Sequence, residues 1–298
     1  METTRYVVGY DGTTSAQNAL KMATAMARAF EAELEIVLVL REDNPYQRVY
    51  PPVGDISPVL EAQARVWLEE ALAVVEGAAG DAADGAVTAR THLWRSHSVV
   101  TGLLEAIDQL GAAMIAISAG SGKGRLSVGS VADALLHSSS VPVALAPRNY
   151  RPQVPPDRIY AAVGTRPGAQ QVIREAHEVA DRTGLPLEVI SFLTDDDGAR
   201  DAAVVESVRE HVGKTVRDVT ETDTEVNVAS GASLKKAVAT VDWQPGGVLL
   251  IGSSRLAQGR QLFLGTTAAR LLRHLPVPMV VVPRPGATET GSAGLLGG

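Results

Sequence analysis

Two glycine-bearing segments have the residue types to hold an anion. "IGSSRLAQGRQLFLGTT", residues 251–267, leaves an apolar run, passes Gly252 and Arg255 and ends in Gly265 and Thr266 where a helix is expected to start. "ISAGSGKGRLSVGS", residues 117–130, does the same with Gly120, Gly122 and Gly124, the cations Lys123 and Arg125, and a final Gly129 and Ser130. Glycine lets backbone N–H groups approach phosphate oxygens, and a Gly-Ser or Gly-Thr pair sets a helix N-terminus and a hydroxyl against negative charge. Each segment also has a plain reading. The first-half loop would be a surface loop before a helix capped by Ser130, with Asp133 as a box-like partner. A Walker A loop is absent, since Lys123 is followed by Gly124.

These loops need elements to aim them. The first half alternates β-rich runs with helical stretches: RYVVGY, a helix over 15–30, LEIVLVL, a helix over 59–76, AVTARTHL, a helix over 99–110, AAMIAIS, a helix over 131–138 and VPVALAP. Runs apolar at successive positions suit strands covered on both faces, hence a parallel sheet between helix layers. The fold class is α/β. After the Pro-rich "RPQVPPDR" the same order returns, from RIYAAVG to VPMVVVP, with "VPVALAPR" answered by "VPMVVVPR". The expected organisation is domain 1 over 1–148, a linker over 149–157, domain 2 over 158–285 and a flexible tail over 286–298. The first copy is longer, and most of the excess is placed in the crossover 41–58, either a solvated loop or else a lid or partner-binding loop. Each copy is expected to be a doubly wound five-stranded parallel sheet ordered 3-2-1-4-5, whose crevice opens between the first and fourth strands at their carboxyl ends.

"VVGYDGTTSAQNAL", "GSVADALLHSSSVPVALAPR" and "LLIGSSRLAQGRQLFLGTTAARLLRHLPVPMVVVPR", in this order and spacing, resemble a tandem universal stress protein over both halves of the chain. The resemblance implies an adenine nucleotide alpha hydrolase-like fold, an Asp beside the nucleotide after the first strand, and a Gly-2x-Gly-9x-Gly-Ser/Thr loop after the fourth. Asp11 meets the first requirement. The first-half loop departs from the second, because counting back from Gly129 lands on Ala119 and Ala116. The second half keeps the loop length but puts Arg255 at a glycine position and Arg166 opposite Asp11; Arg255 would either pair with a phosphate or fill its place. The resemblance also implies that the apolar fifth strands pair as an intramolecular pseudo-dimer, with further homodimerisation open. The expected ligand is ATP or another adenine nucleotide, with Mg as its companion, in at least one domain of a stress-response regulator with a partner protein. A scaffold of the same fold with degenerate sites is the alternative.

Composition bounds other classes. With no cysteine, thiolate catalysis, disulfides and Cys-ligated metals are excluded. A net charge of -7 argues against nucleic acid as partner. No run is long and apolar enough to span a membrane, and the N-terminus lacks a leader pattern, so the expected location is cytoplasmic. His92 with His97 lacks helical spacing and a nearby carboxylate, so no metal site is expected. Asp195, Asp196 and Asp197 read as a solvated turn, and the serines 138–140 as a helix end. Trp94 and Arg95 are expected after the third strand, bordering the crevice or packed on a helix. No catalytic constellation is read, and no enzyme is expected.

Overall fold

The computed structural model describes residues 3–42, 57–77, 86–120, 129–147, 150, 155–165, 168–222, 224–253 and 266–283. The first half runs β1 (Arg5–Gly9), α1 (Thr14–Ala29), β2 (Glu33–Arg41), α2 (Ser57–Gly77), β3 (Ala89–Ser96), α3 (Val99–Leu110), β4 (Met114–Ser118), α4 (Ser130–Ser138) and β5 (Val143–Ala146). The second repeats the alternation with β6 (Arg158–Ala162), α5 (Ala169–Thr183), β7 (Leu187–Thr194), α6 (Ala202–Thr220), β8 (Val226–Gly231), α7 (Leu234–Val238), β9 (Gly247–Gly252), α8 (Thr266–Leu272) and β10 (Met279–Val282). Sequence pattern and structure agree on every one of these elements to within a few residues.

The strands form one sheet ordered β3-β2-β1-β4-β5-β10-β9-β6-β7-β8. Within each half all pairings are parallel, and the halves meet where β5 and β10 pair antiparallel, Ala144 opposite Val280. Every residue of β5 and β10 is buried, which explains why short, wholly apolar edges are not left open. Helices α1 and α2, with α5 and α6, cover one face; α3 and α4, with α7 and α8, cover the other. Both apolar layers run across the seam without a break. Since the halves are antiparallel to each other, the carboxyl ends of their parallel strands point to opposite ends of the sheet.

One local reading is corrected and others gain detail. The third strand is displaced toward the C-terminus, so Trp94 and Arg95 lie within β3 instead of after it. There the Trp94 indole N–H donates to Glu105 on α3 at 3.3 Å, and Arg95 pairs with Glu61 on α2. Helix α7 stops at Val238, where the Trp243 indole N–H donates to the Val238 carbonyl at 2.9 Å. The Asp195–Asp197 run is a single 3-10 turn whose Asp197 closes a capping box with Thr194, while Asp195 pairs with Arg200. Helix α4 ends at Ser138, and the buried Ser139 hydroxyl donates to the Val141 carbonyl at 2.8 Å. The crossover is described only at its two ends, and the tail and most of the linker lie outside the described residues.

His92 does have a carboxylate beside it. Its Nε2 lies 2.6 Å from Glu35 Oε2 on the neighbouring strand, a contact across β2 and β3 that sequence spacing does not display. Arg90 donates to Glu33 at 2.6 Å and to Glu35 at 3.1 Å, and Arg5 approaches Glu35 at 3.8 Å. The same register positions in the second half hold Arg158, Glu188 and Asn227, with Asn227 Nδ2 donating to Glu188 at 3.0 Å. His97 sits 3.9 Å from Glu42. Among the described residues, no three His, Asp or Glu side chains converge as a metal-binding group.

Candidate nucleotide site

The first-half crevice is a cavity of about 420 Å³ at the carboxyl ends of β1, β2 and β4, within the size range of small-molecule sites. On one lip, the chain leaves β1 through Tyr10, whose N–H donates to the Val37 carbonyl at 3.0 Å and keeps β1 and β2 zipped to the rim. The Tyr10 ring turns into the core, and burial holds its phenol above the ordinary value, with the Glu70 and Asp11 charges pushing the same way.

Asp11 follows on the exposed rim. Its Oδ1 accepts from the Thr13 N–H at 3.1 Å and from the Thr13 hydroxyl at 2.6 Å, and Thr13 in turn caps α1 by accepting from Ala16 at 3.2 Å. The sequence DGTTS therefore fixes the carboxylate by a local turn anchored to a helix start.

The opposite lip is the loop between β4 and α4. Gly129 donates to the Ala119 carbonyl at 2.8 Å, so the two ends of this loop close on each other. Gly120 has φ +79°, and a Cβ there would meet Gly129 Cα at 2.6 Å; this approach requires glycine. Residues 121–128, with Gly122, Lys123 and Arg125, lie outside the described residues.

Ser130 does not cap α4. It is the first helical residue, Gly129 is the N-cap, and among the described residues no side-chain cap hydrogen bond is formed. Helices α1, α3, α6 and α7 each have such a bond. Ser130, Val131 and Ala132 of this first turn line the cavity, Ser130 exposed, and among the described residues their helix start has no side-chain cap.

Strand order sets Val37, Leu38, Val39 and Leu40 of β2 on one side of β1, and Ser118, Gly120, Gly129 and Ser130, together with Ile117 and Val131, on the other; Trp67 of α2 and Leu103 of α3 add apolar surface. Asp11 is the one charged side chain among the described lining residues. A carboxylate suits hydroxyl or amino donors and repels phosphate, whereas an uncapped helix start suits phosphate. The arrangement orients a ligand with one apolar, donor-bearing end and one anionic end.

The structure brings Asp11, Gly120, Gly129 and Ser130 around one cavity. Gly252 ends β9 and Thr266 opens α8 in the other half, at the opposite end of the sheet, while Arg255 and Gly265 lie outside the described residues. Sequence reasoning missed Trp67 and the β2 wall. In α2, Trp67 falls three residues after buried Ala64 and next to buried Leu68, so it reads as part of a core stripe.

The model of the Universal stress protein family matches residues 2–147 and again residues 156–283. Universal stress proteins of Mycobacterium tuberculosis and Mycobacterium bovis are each 30% identical over 298 residues, covering 93% of this chain and 99% of theirs. The crystal structure of a universal stress protein from Archaeoglobus fulgidus matches with a TM-score of 0.64 at 20% identity, over 95% of this chain and 99% of that one. A functionally unknown protein from Pseudomonas aeruginosa PAO1 matches with a TM-score of 0.57 at 18% identity, over 94% of this chain and 92% of that one. These two structures bear on the fold, the doubly wound arrangement with the 3-2-1-4-5 order in each half. The chain belongs to the universal stress protein family and carries two domains of it in tandem.

Proposed function

We propose that the chain binds an adenine nucleotide, ATP or AMP, in the first-half crevice and acts as a cytoplasmic, non-enzymatic regulator whose shape or partner surface responds to that ligand. The observation that carries this reading is the opposition across one cavity of a turn-anchored Asp11 and the uncapped start of α4. The ribose and base face Asp11 and the apolar wall; the phosphates face Gly129 and Ser130. Magnesium enters as the companion of the triphosphate in solution, since no acidic cluster of the described residues offers it a cage. Without a positioned base beside a reactive phosphate, any hydrolysis is incidental to binding.

A nucleotide-free scaffold is the second reading. What favours it is that the first-half loop departs from the glycine pattern: Ser118 pairs with Ala146 as Gly252 pairs with Val282, so a serine stands at the first glycine's place. Equilibrium dialysis with labelled ATP separates the two. Binding by the wild type that falls at least roughly tenfold in Asp11→Ala supports the first reading, a loss of the size expected for a charge-assisted hydrogen bond. Equal retention by both proteins removes Asp11 from the site, and no retention by either leaves the scaffold.

A further inference from the structure

Trp67 is the aromatic side chain of the cavity wall that no glycine motif points to. It projects from α2, which is anchored to the core by Ala64, Leu68 and Ala71 at 0%, 6% and 0% exposure. One side of the indole rests on the β1–α1 turn: a Cβ at Gly12 would lie 2.6 to 2.8 Å from the ring atoms Cδ2, Cε2 and Cγ. Gly12 has φ +75°, so this turn presents a bare Cα to the ring and no side chain can intervene. The ring is thereby held beside Asp11, half-buried, with surface left toward the cavity.

We infer that Trp67 is a specificity-determining residue of this cavity, the wall against which a heteroaromatic base is held, so that the site selects nucleotides over phosphate chains lacking a base. The inference rests on the nucleotide reading and deepens it. An indole offers a phosphate neither charge nor a cluster of donors, but it offers a base an apolar π-surface. Its place is on the Asp11 side, over Gly12, because α2 packs on α1, β2 and β3 whereas α4 packs on α3 and β5. If the ring merely filled space against Gly12, its removal would lower stability without changing the preference for a base.

The other two tryptophans are committed elsewhere, Trp94 to Glu105 and Trp243 to an edge contact with Tyr160 at 4.9 Å between centroids. A ligand-induced emission change therefore reports on Trp67. The test titrates ATP and, separately, inorganic tripolyphosphate into the wild type, Trp67→Phe and Trp67→Ala by calorimetry, with emission followed in parallel.

ATP is expected to alter wild-type emission, and Trp67→Phe to lose that signal while binding ATP within roughly threefold, because a ring remains to stack. Trp67→Ala is expected to weaken ATP roughly tenfold or more, toward the affinity of tripolyphosphate. Should the alanine variant fail to fold, the phenylalanine variant and the emission signal decide. Wild-type binding of ATP with no emission change and no loss in the variants overturns the role of Trp67 and leaves the nucleotide reading intact. No ATP binding by the wild type overturns both.

Discussion

Ser130 separates what stabilises the fold from what would bind a ligand. Among the described residues its helix start has no side-chain cap, so Ser130→Asp adds a carboxylate where the dipole welcomes one, worth about 0.3–1 kcal/mol to stability. The same charge would repel phosphate. The expected outcome is an unchanged or slightly raised Tm by calorimetric scanning together with at least roughly tenfold weaker ATP binding, since like charges at contact cost more than a kcal/mol even near a surface. A variant that binds ATP as the wild type does would remove the α4 start from the phosphate site. At this scale the sequence was readable for Asp11 and Gly129, because the chemistry sits in contiguous residues. It was misleading for Ser130, where the cap is decided by backbone dihedrals, and silent on Trp67, whose partner Gly12 is distant in the chain.

Elements were legible because apolar strands and amphipathic helices differ in period, and the two copies check each other. The buried polar corner at the amino ends of β1, β2 and β3 was not, because it is assembled from register: Arg5, Glu35 and His92 are scattered in sequence and adjacent only in the sheet. Glu35 is 2% exposed and holds the half-exposed Arg90 and the partly exposed His92, so removing its charge weakens two contacts of a buried carboxylate. Glu35→Gln is expected to lower unfolding free energy by about 1–3 kcal/mol in urea melts; a change within a few tenths would show the corner to be idle. Near the end of α8, burial and the charges of Lys235, Arg273 and Arg270 lower the His274 pKa below its ordinary 6.5. The folded state then prefers the neutral ring. Its contribution is fully present above the unfolded pKa and is lost as pH falls through the lower folded value. A His274 titration followed by NMR should give a midpoint below 6.5, and a midpoint at or above it contradicts the assignment.

The whole molecule is a ten-stranded sheet in which the repeat has become a pseudo-dimer through β5 and β10. The two apolar edges invited pairing, since an exposed wholly apolar strand must be paired or covered, and the family resemblance is what directed that pairing to the seam. Both core layers cross it, so the halves are expected to unfold together, in one thermal transition with matching calorimetric and van't Hoff enthalpies. Two resolved transitions would mean that the seam contributes little. The antiparallel seam also sends the carboxyl ends of the two halves' strands to opposite ends of the sheet, so the first-half cavity is walled by first-half residues alone among those described.

The central claim is that the first-half crevice takes an adenine nucleotide, and the direct measurement is calorimetric titration of ATP with magnesium into the purified chain. The account predicts saturable heat that is lost in Asp11→Ala while the variant keeps its fold. No heat from the wild type at nucleotide concentrations up to about 1 mM, where even a contact worth about 4 kcal/mol would register, contradicts it.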